Sequence, residues 1–457
     1  METTLFCDAA LLPDGMARNV RLMLKGDRIV SIAAGVRVAA SDTRVPGVVV
    51  PGIANLHSHA FQRAMAGLAE RAGPEGDDFW SWREVMYRFL TVLRPDDVEA
   101  IATQLYVECL RQGFTGVAEF HYLHNAPGGE PYDDPAEMAL RIVSAAQSAG
   151  IGLTLLPVLY TQGGFGAVPP TPGQRRFVLT PDALADICTR ISAHTRAHTR
   201  VGVAPHSLRA VAPRGLAQCV EIARDLGPDT PIHIHVAEQT REIADCIAWS
   251  GARPVAWLLD HAPVDRQWCT IHATHMVPAE TAALAATGAV AGLCPTTEAN
   301  LGDGIFPLRP YLDAGGVFGV GTDSNVGTSP VEELRWLEYV GRLEKRARNV
   351  TEAVSGASVA AGLVRRAATG GAQALGRHAG AIQTGRLADL VVLDTDHPAL
   401  VGRGATAAVD AWIFSGNTTP VRHVMVAGRW VIRDGVHARQ AEIAAAFAKT
   451  MRWLGDA

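Results

Sequence analysis

Residues 48–59 read VVVPGIANLHSH, an apolar run that ends in two histidines, His57 and His59. On an extended strand, residues two positions apart point to the same side, so both imidazoles can bind one metal ion. An HxH pair alone is weak evidence, because such pairs also occur in ordinary loops. This pair gains weight because further candidate residues stand at the ends of three later apolar runs: His235 with Glu238, His272, and Asp323.

Eight runs of this kind cross the middle of the chain. They lie near residues 48–56, 115–120, 151–159, 201–205, 231–236, 269–272, 289–293 and 317–321. Several are separated by stretches that read as helices, at 96–112, 136–149, 181–197, 214–226 and 240–249. Eight strands alternating with helices predict an α/β fold, a TIM-like (β/α)8 barrel. The candidate residues lie at or just past the C-terminal ends of their runs, where such barrels carry their active sites.

The two ends of the chain are rich in short strand-like runs. Gly26-Asp27 and Ala427-Gly428 each lie between apolar segments and predict a hairpin. Because 457 residues exceed the usual size of one domain, we expect a second, smaller one. The predicted division is a β-sandwich domain formed by residues 1–50 plus 380–457, and a metal-dependent barrel formed by residues 51–379.

The composition argues against several classes of protein. The net charge of -5 provides no basic field for nucleic acid. No apolar run reaches the ~18 residues of a membrane span. The seven cysteines are scattered without a CxxC pair, and the N-terminal residues do not resemble a signal peptide. We therefore expect a cytoplasmic protein with a small-molecule substrate, and neither a nucleic-acid partner nor a membrane partner.

Three imidazoles and one carboxylate form the predicted metal site. Such a donor set suits Zn²⁺ or Fe²⁺, and zinc is the default expectation. His235 is preferred over His233 because it lies nearer the strand end. A two-metal site would need a bridging carboxylated lysine, but the three lysines lie far from any barrel strand end. The sequence therefore predicts one divalent metal, held by His57, His59, His235 and Asp323.

Glu238, His272 and Asp323 are the candidate catalytic residues. Glu238 could simply be an acidic residue at a helix N-terminus, but its position three residues after His235 favours a proton shuttle between a water and a leaving nitrogen. His272 ends its strand, unlike His275 in the following loop. Asp323 could be a helix N-cap, or it could bind metal and accept a proton from the attacking water. The sequence leaves open whether His272 or Asp323 takes that first proton.

The fourth barrel run ends in residues 204–209, which include His206 and Arg209. Arginine presents a planar pair of donors that matches a carboxylate, so Arg209 is a candidate substrate ligand. The alternative is a surface salt bridge. Arg83, on the long segment 67–95 after the first strand, is a further candidate for binding substrate.

These residues resemble the pattern of the amidohydrolase superfamily, in its mononuclear deaminase branch. The resemblance covers nearly the whole chain, including Val50-Pro51-Gly52 before the HxH pair and the return segment 380–391, GAIQTGRLADLV. Within this branch, the chain is most similar to the formimidoylglutamate deiminases. That similarity rests on three segments: LHSHAFQR at 56–63, EFHYLH at 119–124 and APHSLR at 204–209.

The resemblance implies residue roles and an activity. Metal binding falls to His57, His59, His235 and Asp323, and catalysis to Glu238 and His272. The implied substrate contacts are Gln62, Tyr122, His206 and Arg209. The implied reaction is the metal-dependent hydrolysis of N-formimino-L-glutamate, a dicarboxylate, to N-formyl-L-glutamate and ammonia in histidine degradation. Homodimers are compatible with the family, although the sequence does not show one.

Two alternatives remain at the level of sequence. Nucleobase and nucleoside deaminases of the same superfamily share the metal residues, but their substrates call for a stacking pocket rather than cationic side chains, and Arg209 favours the dicarboxylate. A barrel that has lost catalysis and serves as a scaffold is the more remote alternative, because the metal residues and Glu238 are intact. Metal content and ammonia release separate these classes.

Overall fold

The computed structural model of the protein describes residues 2–71, 77–194 and 198–456. Within these ranges the strands are β1 (Glu2–Leu12), β2 (Gly15–Lys25), β3 (Arg28–Ala33), β4 (Thr43–Pro51), β5 (Ile53–Ser58), β6 (Phe114–His121), β7 (Gly152–Leu159), β8 (Thr199–Val201), β9 (Ala204–Pro205), β10 (Ile232–Val236), β11 (Trp268–His272), β12 (Val290–Leu293), β13 (Val317–Val320), β14 (Leu390–Leu393), β15 (Val421–Val426), β16 (Arg429–Arg433) and β17 (Val436–His437).

The helices in the same ranges are α1 (Phe79–Leu90), α2 (Pro95–Gln112), α3 (Glu137–Ala149), α4 (Pro181–His194), α5 (Pro213–Leu226), α6 (Thr240–Ser250), α7 (Pro254–His261), α8 (Pro278–Thr287), α9 (Pro295–Leu301), α10 (Leu308–Asp313), α11 (Pro330–Lys345), α12 (Val359–Ala374), α13 (Ala405–Phe414) and α14 (Gln440–Asp456). Two short 3₁₀ segments are Ala60–Met65 and Pro172–Gln174. The predicted helix 181–197 corresponds to α4, and its last three residues, 195–197, lie outside the described ranges. None of the described helices combines the length and apolarity needed to cross a membrane.

Strands β5 to β13 form the predicted barrel. Parallel pairing joins β5, β6, β7 and β8 in one sheet and β10, β11, β12 and β13 in another. Isolated parallel bridges connect the two sheets at Val203–Ile232 and Ser207–His235, and Ser58–Asp323 links the last strand to the first. The fold class predicted from the sequence is therefore confirmed.

The fourth barrel position is divided between β8 and β9 at Gly202. A Cβ atom at this residue would lie 2.5 Å from Leu156 Cδ2 and 2.7 Å from Pro231 O. Only glycine fits here, because it lets the backbone of this strand lie close to both neighbouring strands. Beyond this point, β9 leads directly into the residues around His206.

The barrel strands are buried on both faces. Every residue of β5, β6, β7, β10 and β11 is buried, which explains why these strands read as continuous apolar runs rather than alternating ones. Leu56 fills the barrel interior beside Gly292 and Gly319, where a Cβ atom would come within 2.8 Å of its methyl groups. Burying a side chain of this size contributes about 1.5–3 kcal/mol, so the interior is a packed core rather than a pore.

Both ends of the chain meet in one eight-stranded sheet, in the order β17-β16-β15-β14-β4-β1-β2-β3. The junction is an antiparallel pairing of β14 with β4, in which Leu390 lies opposite Pro51. The two predicted hairpins are present, as β2–β3 and β15–β16. This confirms a β-domain built from both termini. The exact limits of the two domains stay a prediction, because α13 and α14 contact the barrel helices α12 and α2.

Candidate active site

Four buried side chains converge at the C-terminal end of the barrel. His57 and His59 follow from β5, His235 from β10, and Asp323 from the turn after β13. One candidate ligand atom from each residue lies within 4.8 Å of the others. Asp323 Oδ1 is 3.4 Å from His57 Nε2 and 3.3 Å from His59 Nε2. These are the four residues that the sequence predicted as metal ligands.

The backbone of the barrel seam holds these ligands in register. The amide of Asp323 donates to His57 O at 2.9 Å, and the amide of His59 donates to Asp323 O at 3.0 Å. The first and last strands of the barrel therefore bond to each other through the ligand residues themselves. Asp323 has a φ of +48°, a left-handed conformation that a non-glycine residue rarely adopts and that is typical of functional sites.

Hydrogen bonds to backbone carbonyls orient two of the imidazoles. Phe120 O lies 2.9 Å from His59 Nδ1, and His206 O lies 3.0 Å from His235 Nδ1. With Nδ1 donating in this way, Nε2 is the free electron-pair donor, which is the arrangement that metal-binding histidines use. Both ring nitrogens of His57 are buried without a hydrogen-bond partner in the described structure. A bound metal would satisfy His57, so the residues fit the group.

The charge states of His57, His235 and Asp323 also suit a metal. Burial lowers the pKa of His57 to about 3, despite the nearby Asp323 carboxylate. Burial, together with the other histidines, places the pKa of His235 well below its usual range. Burial raises the pKa of Asp323, but the close contacts with His57 and His59 outweigh this effect and hold that pKa well below the usual value. Neutral imidazoles and an ionised carboxylate are the forms that bind metals.

His272 lies between two carboxylates beside the metal group. Its Nε2 is 3.7 Å from Asp323 Oδ2 and 3.8 Å from Glu238 Oε1, while its Nδ1 is 3.2 Å from Glu298 Oε1. Burial opposes a charge on the ring, but Glu238 and the hydrogen bond to Glu298 raise the pKa of His272 to about 10. The three residues predicted to be catalytic thus form one chain of polar groups through which protons can move.

A small cavity of about 50 Å³ adjoins these residues. The five residues predicted to contact substrate all line it, and they are Gln62, Arg83, Tyr122, His206 and Arg209. Helix α1 forms one wall through Phe79, Trp82, Met86 and Tyr87. The structure therefore brings every predicted site residue to one place, and the role of each stays a prediction.

Arg209 lies in this cavity but already faces acidic residues. Its Nη2 donates to Glu238 Oε2 at 3.2 Å, and its Nε, 3.6 Å from Glu242 Oε2, has no hydrogen-bond partner in the described structure. Arg83 reaches the cavity from α1, where it hydrogen-bonds to Tyr87 and lies 5.1 Å from the centre of the Trp80 ring. Two guanidinium groups thus share one small cavity with the metal group.

Gln62 and Tyr122 form a polar pair at the edge of the same cavity. Gln62 Nε2 donates to Tyr122 OH at 2.7 Å, and Tyr122 OH lies 3.4 Å from Met86 Sδ. The remaining Gln62 oxygen is buried without a hydrogen-bond partner in the described part of the chain. A buried acceptor of this kind is costly unless a ligand supplies the missing donor.

Comparison with known proteins identifies the family. The model described as "Amidohydrolase family" matches residues 48–431, and the model described as "Formimidoylglutamate deiminase HutF, N-terminal domain" matches residues 2–45. A formimidoylglutamate deiminase of Pseudomonas aeruginosa is 50% identical over 456 residues, which is 99% of this chain and 100% of that protein. The chain belongs to the amidohydrolase family, among the formimidoylglutamate deiminases.

Two further comparisons support this placement. The crystal structure of an amidohydrolase from Brucella melitensis has a TM-score of 0.93 and 48% identity, and the match covers 99% of both chains. A 5-methylthioadenosine/S-adenosylhomocysteine deaminase of Natronomonas pharaonis is 31% identical over 85% of this chain and 82% of its own. The resemblance read from the sequence is confirmed: the protein is a metal-dependent hydrolase of this family.

Two acidic residues that the sequence did not single out accept hydrogen bonds from the backbone next to the predicted site residues. The Glu242 carboxylate accepts hydrogen bonds from the amides of Ala237 and Glu238, at 3.0 and 3.1 Å. It thereby fixes the turn that presents Glu238. Glu119 accepts from the amide of Ala60 at 2.6 Å, directly after the HxH pair, and burial raises its pKa to about 7. The one available signal for Glu242 was an acidic residue in the first turn of α6.

Asn325 is the other supporting residue that the sequence did not reveal. Its Nδ2 donates to His59 O and Asp323 O, both at 3.0 Å, and its Oδ1 accepts from Thr322 Oγ1 at 2.5 Å. The side-chain amide of Asn325 therefore connects His59, near the start of the barrel sequence, with Asp323, near its end. Its φ of +59° is a conformation that asparagine tolerates better than most residues, and no feature of the sequence marked this position.

Proposed function

We propose that the protein hydrolyses N-formimino-L-glutamate to N-formyl-L-glutamate and ammonia, a reaction of histidine degradation. The observation that carries this proposal is the cavity, where three of the four proposed metal ligands lie beside two guanidinium groups, those of Arg83 and Arg209. A substrate with two carboxylates and one formimino group matches that combination. The 50% identity to a formimidoylglutamate deiminase supports the same substrate.

Zinc is the metal we propose, with Fe²⁺ as the alternative. Three imidazoles and one carboxylate, at His57, His59, His235 and Asp323, are a donor set that favours either ion. When bound, the metal supplies Lewis acidity that makes water a nucleophile near neutral pH. The remaining chemistry is proton movement, for which the chain provides its own groups.

The proposed reaction adds water to the formimino carbon and breaks its bond to the terminal nitrogen. Asp323 accepts the first proton, because His272, whose pKa is raised to about 10, already carries its proton and lies with its Nε2 3.7 Å from Asp323 Oδ2. Glu238 receives that proton from Asp323 through His272, which lies 3.8 Å from Glu238 Oε1, and delivers it to the terminal nitrogen, which leaves as ammonia. A positioned acid–base group of this type accelerates a reaction by about 10²–10⁴-fold.

Substrate binding falls to the opposite side of the cavity. Arg83 and Arg209 bind the carboxylates, and the unpartnered oxygen of Gln62 accepts a hydrogen bond from a substrate N–H. Because Arg209 pairs with Glu238 in the substrate-free structure, substrate binding competes with that ion pair.

A substrate panel on one metal-analysed sample tests this function. Ammonia release is measured with N-formimino-L-glutamate and, in parallel, with guanine, cytosine and adenosine. We expect rapid release from N-formimino-L-glutamate alone. Faster release from a nucleobase or nucleoside would instead support the deaminase alternative, and metal-loaded protein that releases no ammonia from any substrate would support a scaffold. Repeating the assay after reconstitution with Zn²⁺ or Fe²⁺ tests the metal, for which we expect the higher kcat/KM with zinc.

A further inference from the structure

A second group of metal-binding side chains lies directly beside the first. His272 ends β11, Cys294 follows β12, and Asp323 follows β13, so three consecutive barrel strands each contribute one residue. One donor atom from each lies within 4.8 Å of the others, and all three residues are buried. Cys294 has no role in the proposed reaction, although its thiol is the only sulfur donor in either group.

Asp323 belongs to both groups and presents a different oxygen to each. Oδ1 lies 3.4 Å from His57 Nε2 and 3.3 Å from His59 Nε2. Oδ2 faces the other way and lies 3.7 Å from His272 Nε2. A carboxylate placed between two donor sets in this manner is able to bridge two cations.

Glu298 organises the second group. Its Oε1 accepts from the amide of Cys294 at 3.0 Å and lies 3.2 Å from His272 Nδ1. With Nδ1 held by a carboxylate, Nε2 is the ring nitrogen left to exchange its proton for a cation, and this atom is buried without a hydrogen-bond partner in the described structure. A carboxylate behind an imidazole is the support that metal-binding histidines commonly have. The group is therefore oriented as a site rather than assembled by chance.

We propose that His272, Cys294 and Asp323 form a second, weaker metal site that inhibits the enzyme when it fills. A thiolate, an imidazole and a carboxylate select a borderline or soft divalent cation such as zinc or cadmium. Bonds form from the cation to sulfur, nitrogen and oxygen, and two protons pass to solvent, one from the Cys294 thiol and one from the His272 ring. Occupancy removes His272 and half of Asp323 from proton transfer. The proposal that this site binds a second cation does not depend on the proposed function, whereas the proposal that the cation inhibits the enzyme rests on it.

Equilibrium dialysis and ultraviolet absorption of the holoenzyme test the binding. Protein holding one zinc per chain is dialysed against excess zinc, and a parallel sample is titrated with cadmium to detect thiolate-to-metal absorption. The test variant is Cys294→Ser, which the fold accommodates because residue 294 is the N-cap of α9 and serine is a favoured N-cap. The control is Cys246→Ser, a buried thiol on α6. Thermal melting and the first zinc confirm that both variants are folded.

We expect the wild type and Cys246→Ser to bind a second zinc and to show the absorption, and Cys294→Ser to lose both. For each protein, the rate in excess zinc is compared with its own rate at one zinc per chain. In the wild type and Cys246→Ser, excess zinc should lower the rate about tenfold or more, since two proton-transfer groups are blocked. In Cys294→Ser the rate should not fall. A wild type that binds only one zinc, or a Cys294→Ser variant that keeps the second, overturns the site. Binding without loss of rate overturns the inhibition, and the substrate panel at one zinc decides the proposed function separately.

Discussion

The two sides of the active-site cavity are built differently. The metal side, consisting of His57, His59, His235 and Asp323, lies on the ends of barrel strands, and its ring nitrogens are fixed by backbone carbonyls or left free. The substrate side, consisting of Gln62, Arg83, Tyr122, His206 and Arg209, lies on α1, on the 3₁₀ segment after β5, and on loops. Its charged groups pair with other side chains rather than with the backbone.

This difference has a physical consequence. Strand ends are held by the hydrogen-bonded barrel, so the metal side is preorganised before any ligand arrives. On the substrate side, the Arg209–Glu238 pair can exchange one carboxylate partner for another. Changes to the metal side should therefore abolish activity through loss of metal, whereas changes to the substrate side should give graded effects with the metal retained.

The largest expected effect comes from removing a ligand on the metal side. His57→Asn should lose most of the bound metal and lower turnover by roughly 10⁴-fold or more, since the metal-dependent activation of water is lost. Metal analysis and ammonia release measure the two effects. His233→Asn is the matched control: His233 is also buried, but its Nε2 bonds to Ala374 O, outside the metal group. Equal metal loss in both variants would contradict the assignment of His57.

Glu238→Gln should give the next largest effect. It removes the proposed proton donor while keeping the size of the side chain, so kcat should fall by about 10²–10⁴-fold with metal content unchanged. Steady-state ammonia release and metal analysis of the same sample test this. A variant with unchanged kcat would remove Glu238 from proton transfer.

Arg209→Met sharpens the comparison on the substrate side. Loss of a charged hydrogen bond to a carboxylate costs about 1.5–3 kcal/mol, so KM for N-formimino-L-glutamate should rise about 10- to 150-fold while metal content is unchanged. Arg214→Met, an exposed arginine on α5, is the control. The same pair of variants is assayed with N-formimino-4-aminobutyrate, which lacks one carboxylate. An unaltered KM in Arg209→Met, or an equal rise in the control, would remove Arg209 from substrate binding.

The smallest expected effect concerns the support of the metal side. Asn325→Asp keeps the shape of the side chain but replaces the amide that donates to the carbonyl oxygens of His59 and Asp323 with a carboxylate oxygen, which can only accept. Metal affinity should therefore fall about 10- to 100-fold. Competition with a chelator measures that affinity. Asn300→Asp, an exposed position beside Glu70, is the control and should leave the affinity unchanged. If both variants hold metal equally well, Asn325 does not position the ligands.

The sequence predicted the fold and the metal side because both depend on periodic features. Eight apolar runs and two hairpin signals correspond to local backbone preferences, and most runs match one strand with small shifts, such as 269–272 against the observed Trp268–His272. Two runs do not: 48–56 is divided between β4 of the terminal sheet and β5 of the barrel, and 201–205 between β8 and β9. The metal ligands stand at the ends of those runs. Their convergence then follows from the barrel itself, which brings all strand ends to one face.

The remaining contacts could not be read from the sequence, because they join side chains from distant segments. Asn325 reaches His59 across 266 residues of chain, and Arg209 reaches Glu238 across 29. Periodicity marks the position of Arg209 at a run end but not its pairing with Glu238, and it does not mark Asn325. The same is true of Cys294, which looked like one of seven scattered cysteines until the structure placed it beside His272.

The most direct test of the account is a titration of metal-free protein with zinc while ammonia release from N-formimino-L-glutamate is recorded. If the metal side holds a single catalytic ion, the rate should be at background without metal, rise in proportion to added zinc, and stop rising at one zinc per chain. Full turnover by the metal-free protein, or a rate that continues to rise until two zinc ions are bound per chain, would contradict the account.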